Sequence, residues 1–387
     1  MTETDISLAT PIATLFALAA TPPELVAYRG VLTPRELDAP GKETAALVSG
    51  AALHDLGWLR SVAVRGEDRF RWLSGMVTNT VNDLGTNAGA WNLVLTAQGR
   101  IQGDLHVGRE GDQLELTIAA DQYDRLLAHL ERFIIMDDVE LVPLREESAL
   151  GIAGPLAAGV LARLGLPALT ESMTNARAAW HGQQLRVVRG YGVLAPHYEL
   201  WMQAAEIPAL WRALTEAGAS PVGVATLEAF RIAEGIPAYG IDIAERDLPQ
   251  EAVPQAATLP GTMKSVRANS EQLAPPQVAL SFNKGCYLGQ EIVERIHSRG
   301  NVHRHLRPLE LFGPRPAAGT ELIMDGGAIA GQITSAAELL LTTGNRVFAL
   351  GMVRGEAELH NQPLTYRAGT ATGTAHILAA PPVLKAG

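Results

Sequence analysis

The chain reads as an α+β protein: two mixed units followed by a small antiparallel β-barrel. Three observations predict this. A strand–helix–strand–strand–helix rhythm runs from Ser61 to Phe133. The rhythm restarts near Leu150. After Arg307 the texture changes to short alternating segments separated by glycine and proline.

The elements follow in order. Pro11–Ala20 is apolar and reads as a helix or an arm. It does not read as a secretion signal, because Glu3 and Asp5 precede it and the first basic residue is Arg29. Residues 22–45 hold Pro22, Pro23, Pro34, Pro40 and Gly41 among charges, which predicts an extended lead-in. Ser61–Val64 alternates as a strand does. Gly66–Val77 predicts a helix with Phe70, Trp72, Leu73 and Met76 inward. Trp91–Leu95 and Ile101–Val107 predict strands joined by a turn at Ala97–Arg100, followed by a strand at Leu114–Ile118 and an amphipathic helix at Asp121–Phe133.

The second round has a strand near Leu150, a helix over Leu156–Leu164, strands at Gln184–Val188 and Glu199–Met202, and a helix at Ala205–Ala217. Residues 246–280 are proline-rich and aperiodic, the signature of a long loop. Barrel strands are expected at Leu309–Leu311, Glu321–Met324, Ala328–Ile333, Val347–Val353 and Pro363–Tyr366. These readings divide the chain into a two-unit module over 45–302 and a barrel over 303–387.

Bulk properties narrow the function. The chain has 387 residues, enough for two or three domains, with 47% hydrophobic residues and a net charge of -10. That acidity disfavours nucleic acid as a general partner, so RNA contact would need a local basic patch. The one candidate is His297, Arg299, His303, Arg304, His305 and Arg307, which also reads as a solvated interdomain linker. A single cysteine excludes an intramolecular disulfide and a self-contained multi-cysteine metal site, and suits a reducing, cytoplasmic location. No apolar run is long enough to span a membrane.

That cysteine, Cys286, lies in Asn283-Lys-Gly-Cys-Tyr-Leu-Gly-Gln-Glu291, ahead of a predicted helix with Leu288, Ile292, Val293 and Ile296 on one face. A thiolate is a nucleophile and a soft metal ligand, and the neighbouring Lys284 is the residue type that supports a reactive sulfur. Gly285 and Gly289 bracket the site and permit sharp turns. A lone cysteine can equally be a small buried hydrophobe.

The eight-residue string Lys284–Glu291 resembles the signature of the YgfZ family, the folate-binding relatives of the glycine-cleavage T-protein. His54-Asp-Leu-Gly57, Phe70–Asn79, Arg231–Ala252 and Gly331–Ser335 extend the resemblance over most of the chain. It implies a three-lobed ring that holds tetrahydrofolate at its centre, and an accessory role for iron–sulfur enzymes, including a tRNA-thiolating one. Cys286 would act on iron–sulfur client or assembly proteins, with Lys284 beside it.

The resemblance also implies cofactor-binding roles. Asp104 matches the second of two family aspartates, the one facing the reactive folate nitrogen, while Gly103 replaces the first. Trp91 stands where the family places a tyrosine beside the pterin. Glu234 corresponds to the pterin-edge glutamate, displaced by one residue, because the chain reads Ala-Glu-Gly for Glu-Ala-Gly. Ala119 stands where the T-protein has an asparagine. Taken alone, Asp104 is also a turn aspartate and Trp91 a core residue. The competing reading is an aminomethyltransferase that passes a one-carbon unit to tetrahydrofolate. A folate-dependent demethylase module is a weaker third, with no dinucleotide-binding fingerprint behind it.

Overall fold

The computed structural model describes residues 9–252, 279–299, 302–360 and 362–384. Most of the proline-rich stretch, and Gly300 and Asn301 of the basic run, lie outside the described residues.

Two sheets and a closed barrel organise the chain. The first sheet has five strands in the spatial order Gly89–Leu95, Ile101–Glu110, Gln113–Ala119, Leu59–Arg65 and Glu140–Pro143, every neighbour antiparallel. Helices Arg69–Met76 and Ala120–Glu131 supply Trp72, Leu73, Leu126 and Leu130 to the core that also takes Val62, Val64, Leu105, Val107 and Leu116. Along Ile101–Glu110 burial alternates residue by residue, so Gly103, Leu105 and Val107 face these helices while Asp104 and His106 face the opposite side.

The second sheet runs Thr174–Trp180, Gln183–Arg189, His197–Gln203, Glu147–Ala153, Ala52–Asp55 and Ser220–Pro221. Only the last pairing is parallel. Helices Pro11–Ala17, Ala157–Arg163 and Ile207–Glu216 cover one face of it. The second lobe borrows Ala52–Asp55 from before the first lobe, so it is not contiguous in sequence.

The barrel closes in the order Arg304–Phe312, Gly344–Arg354, Ile329–Leu341, Glu321–Ile323, Leu364–Ala368 and Ala371–Ile377. A fourth hydrophobic core joins the three bodies. It collects Leu47, Trp91, Leu93, Leu95, Phe230, Leu306, Leu339, Phe348 and Leu350 from both lobes and the barrel.

Helix Val224–Glu234 is the central spoke of this joint. The buried Asp242 carboxylate ties the loop after it to the barrel, accepting from the Thr334 hydroxyl at 2.7 Å, the Ser335 hydroxyl at 2.6 Å and the Arg231 guanidinium at 2.7 Å. Two of the segments that carried the family resemblance, Arg231–Ala252 and Gly331–Ser335, are thus partners in domain docking.

Three expectations need correction. Residues 22–45 are not an extended lead-in. They hold a hairpin, Leu25–Tyr28 with Val31–Pro34, and the start of helix Pro40–Ser49. Pro40 at the first turn of that helix removes an N–H that would have no partner, so the proline starts the helix rather than preventing it. The proline-rich stretch opens with a short helix, Pro249–Ala252. Arg304–Arg307 is the first barrel strand, not linker.

Candidate functional site

A cavity of about 220 Å³ lies between the two sheets and helix Val224–Glu234. Leu56, Trp58, Tyr191 and Phe230 give it apolar and aromatic walls. His54, His106, His197, Glu199 and Glu234 give it polar ones. The volume is below the roughly 300–1,000 Å³ of pockets that enclose drug-sized ligands. One flat ring system fits, and any tail must run outside.

The histidines come from three separate strands. His54, 1% exposed, lies in Ala52–Asp55 opposite Gly151. A Cβ on Gly151 would sit 2.0 Å from His54 Nε2, so the glycine is what lets the imidazole lie across the neighbouring strand. His197 stacks on His54 with ring centroids 5.4 Å apart and planes at 29°. Burial pulls the His54 pKa well below the usual range, and the facing His197 adds to this, while the Ala52 backbone opposes it. Burial also lowers His106 and His197, against the opposing pull of Glu199. All three are therefore neutral imidazoles near pH 7. His54 Nε2, His197 Nε2 and Trp58 Nε1 are buried with no hydrogen-bond partner among the described residues. Each such atom costs about 1–3 kcal/mol unless something fills the need.

Glu234 lines the cavity, but its carboxylate is already engaged. Oε1 accepts the backbone N–H of Val193 at 2.8 Å and of Leu194 at 2.9 Å. Burial pushes its pKa up to about 7, with those N–H groups pulling the other way. This carboxylate is thus turned onto the loop at 193–194.

Asp104 and Trp91 form one unit outside the cavity lining. Trp91 Nε1 donates to Asp104 Oδ2 at 3.1 Å, and Gln122 Nε2 donates to Oδ1 at 2.8 Å. The indole itself is packed in the joint between lobes, 4% exposed. Asp104 shares a strand face with the cavity-lining His106, two residues on. Gly103 is closely packed: a Cβ there would lie 2.6 Å from Gln122 Oε1 and 2.8 Å from Leu126, so a side chain would need those two side chains to move. Ala119 caps the strand Gln113–Ala119 and is buried.

The cysteine loop lies elsewhere. Cys286 is exposed and is not among the residues lining the cavity. Its helix starts at Gln290, four residues later. Lys284 anchors the loop: its ammonium donates to the carbonyls of Ser74 at 2.7 Å, Val77 at 2.5 Å and Asn79 at 2.7 Å. Burial pushes that ammonium down to about 8. Gly289, at φ +80°, packs against the turn of the first sheet, where a Cβ would lie 2.4 Å from the Thr96 carbonyl. Gly285 has open space around it and no positive φ, so only one of the two bracketing glycines is required by the backbone.

The basic run is largely answered by acids. Arg304 pairs with Asp247 and Glu251, and His305 and Arg307 both meet Glu358. His297 stacks on Phe282 with centroids 3.9 Å apart. Among the described residues no group of three or more His, Cys, Asp or Glu is arranged to hold a metal ion. No helix among them is long and apolar enough to cross a membrane.

Comparison with known proteins fixes the family. Residues 26–257 match the GCVT N-terminal domain, more than half of the chain. The chain belongs to the GCVT family. An aminomethyltransferase of Rubrobacter xylanophilus is 28% identical over 343 residues, covering 86% of this chain and 84% of that one. A putative chloroplastic transferase of Arabidopsis thaliana is 24% identical, over 80% of this chain and 66% of its own length. The solved structure of aminomethyltransferase T of the glycine cleavage system from Bartonella henselae superposes with a TM-score of 0.80 at 20% identity, covering 97% of this chain and 98% of that one. The fold is therefore that of the T-protein, with two mixed lobes and a C-terminal closed barrel.

Within this GCVT fold the sequence placed Glu234 at the cavity and missed its histidines. A signal for two of them was present. Asp104 and His106, and likewise His197 and Glu199, are polar residues two apart in otherwise apolar strands, which puts each pair on one sheet face.

Proposed function

We propose that this protein binds a reduced folate of the tetrahydrofolate type, with the pterin head in the interlobe cavity. We further propose that it serves iron–sulfur enzymes as a YgfZ-type accessory protein through Cys286. The observation that carries the folate reading is the interlobe cavity of about 220 Å³, with aromatic walls, in a chain of the GCVT family. Asp104, held by Trp91 and Gln122, is the group on the same sheet side that would meet the rest of the folate. Trp91 acts here as the residue that orients Asp104. In this reading residues 45–302, with the helix Pro11–Ala17 that packs on the second sheet, form the folate module, and 303–387 the barrel beside it.

The exposed thiol supports the accessory role. A sulfur on an anchored surface loop can reach a client protein or ligate iron that the client holds. Lys284 contributes by fixing the loop. RNA gains little support from the basic run, since Arg304, His305 and Arg307 already have carboxylate partners.

A calorimetric titration with tetrahydrofolate tests the first half of the proposal; no binding would remove it. For the second half, cells carrying Cys286→Ser are assayed for iron–sulfur enzyme activity and thiolated tRNA. Normal levels of both would remove the thiol role. The alternative, aminomethyl transfer to tetrahydrofolate, is favoured by the Rubrobacter relative of that name. Weighing against it, position 103 is a glycine with no acidic side chain, and Glu234 is spent on backbone. Methylene-folate and ammonia released with glycine-cleavage partners would decide for the alternative.

A further inference from the structure

The cavity holds more unused hydrogen-bonding capacity than any other part of the described molecule. His54 Nε2, His197 Nε2 and Trp58 Nε1 are buried without partners, and all three residues line it. The charged groups around it are committed. Arg186 faces Glu115 at 2.8 Å, Arg231 is held by Glu228 and Asp242, and Arg189 donates to the carbonyls of Gly190 and His197. Glu199 accepts the Trp201 indole N–H, and Glu234 accepts two backbone N–H groups. What remains for a ligand, besides the buried Asn175 Oδ1, is a stacked imidazole pair, His54 on His197, beside the Trp58 indole.

A neutral imidazole offers one donor and one acceptor. The ring N–H of His54 is drawn to the Ala52 backbone and that of His197 to the Tyr191 backbone, so each free Nε2 is an acceptor and the edge carries no net charge. Such an edge suits a flat nitrogen heterocycle that brings N–H donors to it. It discriminates against an anion, which would find acceptors and no free cation.

We propose that His54 and His197 are the ligand-edge residues of this cavity, recognising an uncharged nitrogen heterocycle of the reduced-pterin class in place of a helix carboxylate. This deepens the folate reading and rests on it for the occupant. Gly151 is part of the device, because only a residue without a Cβ lets His54 lie across the strand.

The test uses the full chain and two probes, 5-formyltetrahydrofolate and the head alone, a 6-methyl tetrahydropterin. Affinities of wild type, His54→Phe and His197→Phe are read by calorimetry, with thermal unfolding alongside. Phenylalanine keeps a ring of similar shape and removes both nitrogens. The proposal expects each variant to lose about tenfold or more in affinity, the value of one lost hydrogen bond to a buried partner. It also expects the unfolding midpoint of His54→Phe to stay level or rise, since a buried atom without a partner is gone.

Unchanged affinity in both variants, with wild type binding folate, would overturn the histidine assignment and leave the folate reading standing. Histidine-dependent binding of the pterin head without binding of the folate would do the reverse. Failure of wild type to bind either probe would overturn both. Should His54→Phe fail to fold, His197→Asn reads the same wall, and full affinity in it would overturn the assignment.

Discussion

The cysteine loop and the interlobe cavity are built on opposite principles. The loop concentrates its chemistry in one contiguous string and turns it outward, with Cys286 exposed and Lys284 fastened to three carbonyls beneath it. The cavity gathers single residues from positions as distant as His54, His106, His197 and Glu234, and buries them. The loop is rigid where it meets the protein and open where it meets solvent. The cavity is partly open, holds neutral imidazoles and leaves buried polar atoms short of hydrogen-bond partners. A protein that must hold a small molecule and also meet a large one needs both kinds of site. The two do not share lining residues.

The most damaging single substitution in the loop is Lys284→Ala. It removes a charged donor from three carbonyls at the end of helix Arg69–Met76 at once. Stability should fall by at least about 3 kcal/mol, read from the urea midpoint. Alkylation of Cys286 should change in rate as the loop loosens. A wild-type midpoint would mean the loop is not anchored this way.

The next effect belongs to the cavity. Glu234 is raised to about 7 in the folded protein, from 4.5. Between those values the folded state holds a proton that the unfolded state has lost. This group's contribution is therefore fully present below about pH 4.5, falls as pH rises, and is gone above about 7. Glu234→Gln should flatten the stability profile by roughly 3 kcal/mol over that window. The check is the difference between variant and wild-type midpoints at pH 5, 6, 7 and 8; a constant difference would mean the carboxyl is not perturbed as described.

The smallest effect is expected at the residue with the strongest motif. Cys286→Ser should leave stability within about 0.5 kcal/mol of wild type, as surface substitutions generally do. Folate affinity should also be unchanged, since the sulfur lies off the cavity. A large loss in either would join the two sites that the structure keeps apart.

How much was legible follows from how each feature is encoded. The helices at Arg69–Met76, Ala120–Glu131 and Ile207–Glu216 and the central strands were readable, because one buried face imposes a period on the sequence. The hairpin Leu25–Tyr28 with Val31–Pro34 was not, because four-residue strands beside prolines carry too little pattern. Lys284 was legible as a residue of interest but its work was not. Proximity to Cys286 in sequence suggested chemistry, whereas its ammonium reaches residues 205 or more positions away. Trp91 and Asp104 read as two separate sites in the sequence, and the fold made them one hydrogen-bonded unit.

By itself, then, the sequence determined the local periodicities, the barrel at the end, and the family string around Cys286. These are properties of neighbouring residues, and short-range sterics and burial write them directly into the chain. Folding in three dimensions set that His54 stacks on His197, that Glu234 turns to backbone, and that Gly103 packs against Gln122 and Leu126. Each of these depends on which distant strand lies opposite, and strand partners are chosen by the packing of whole sheets rather than by any local run of residues.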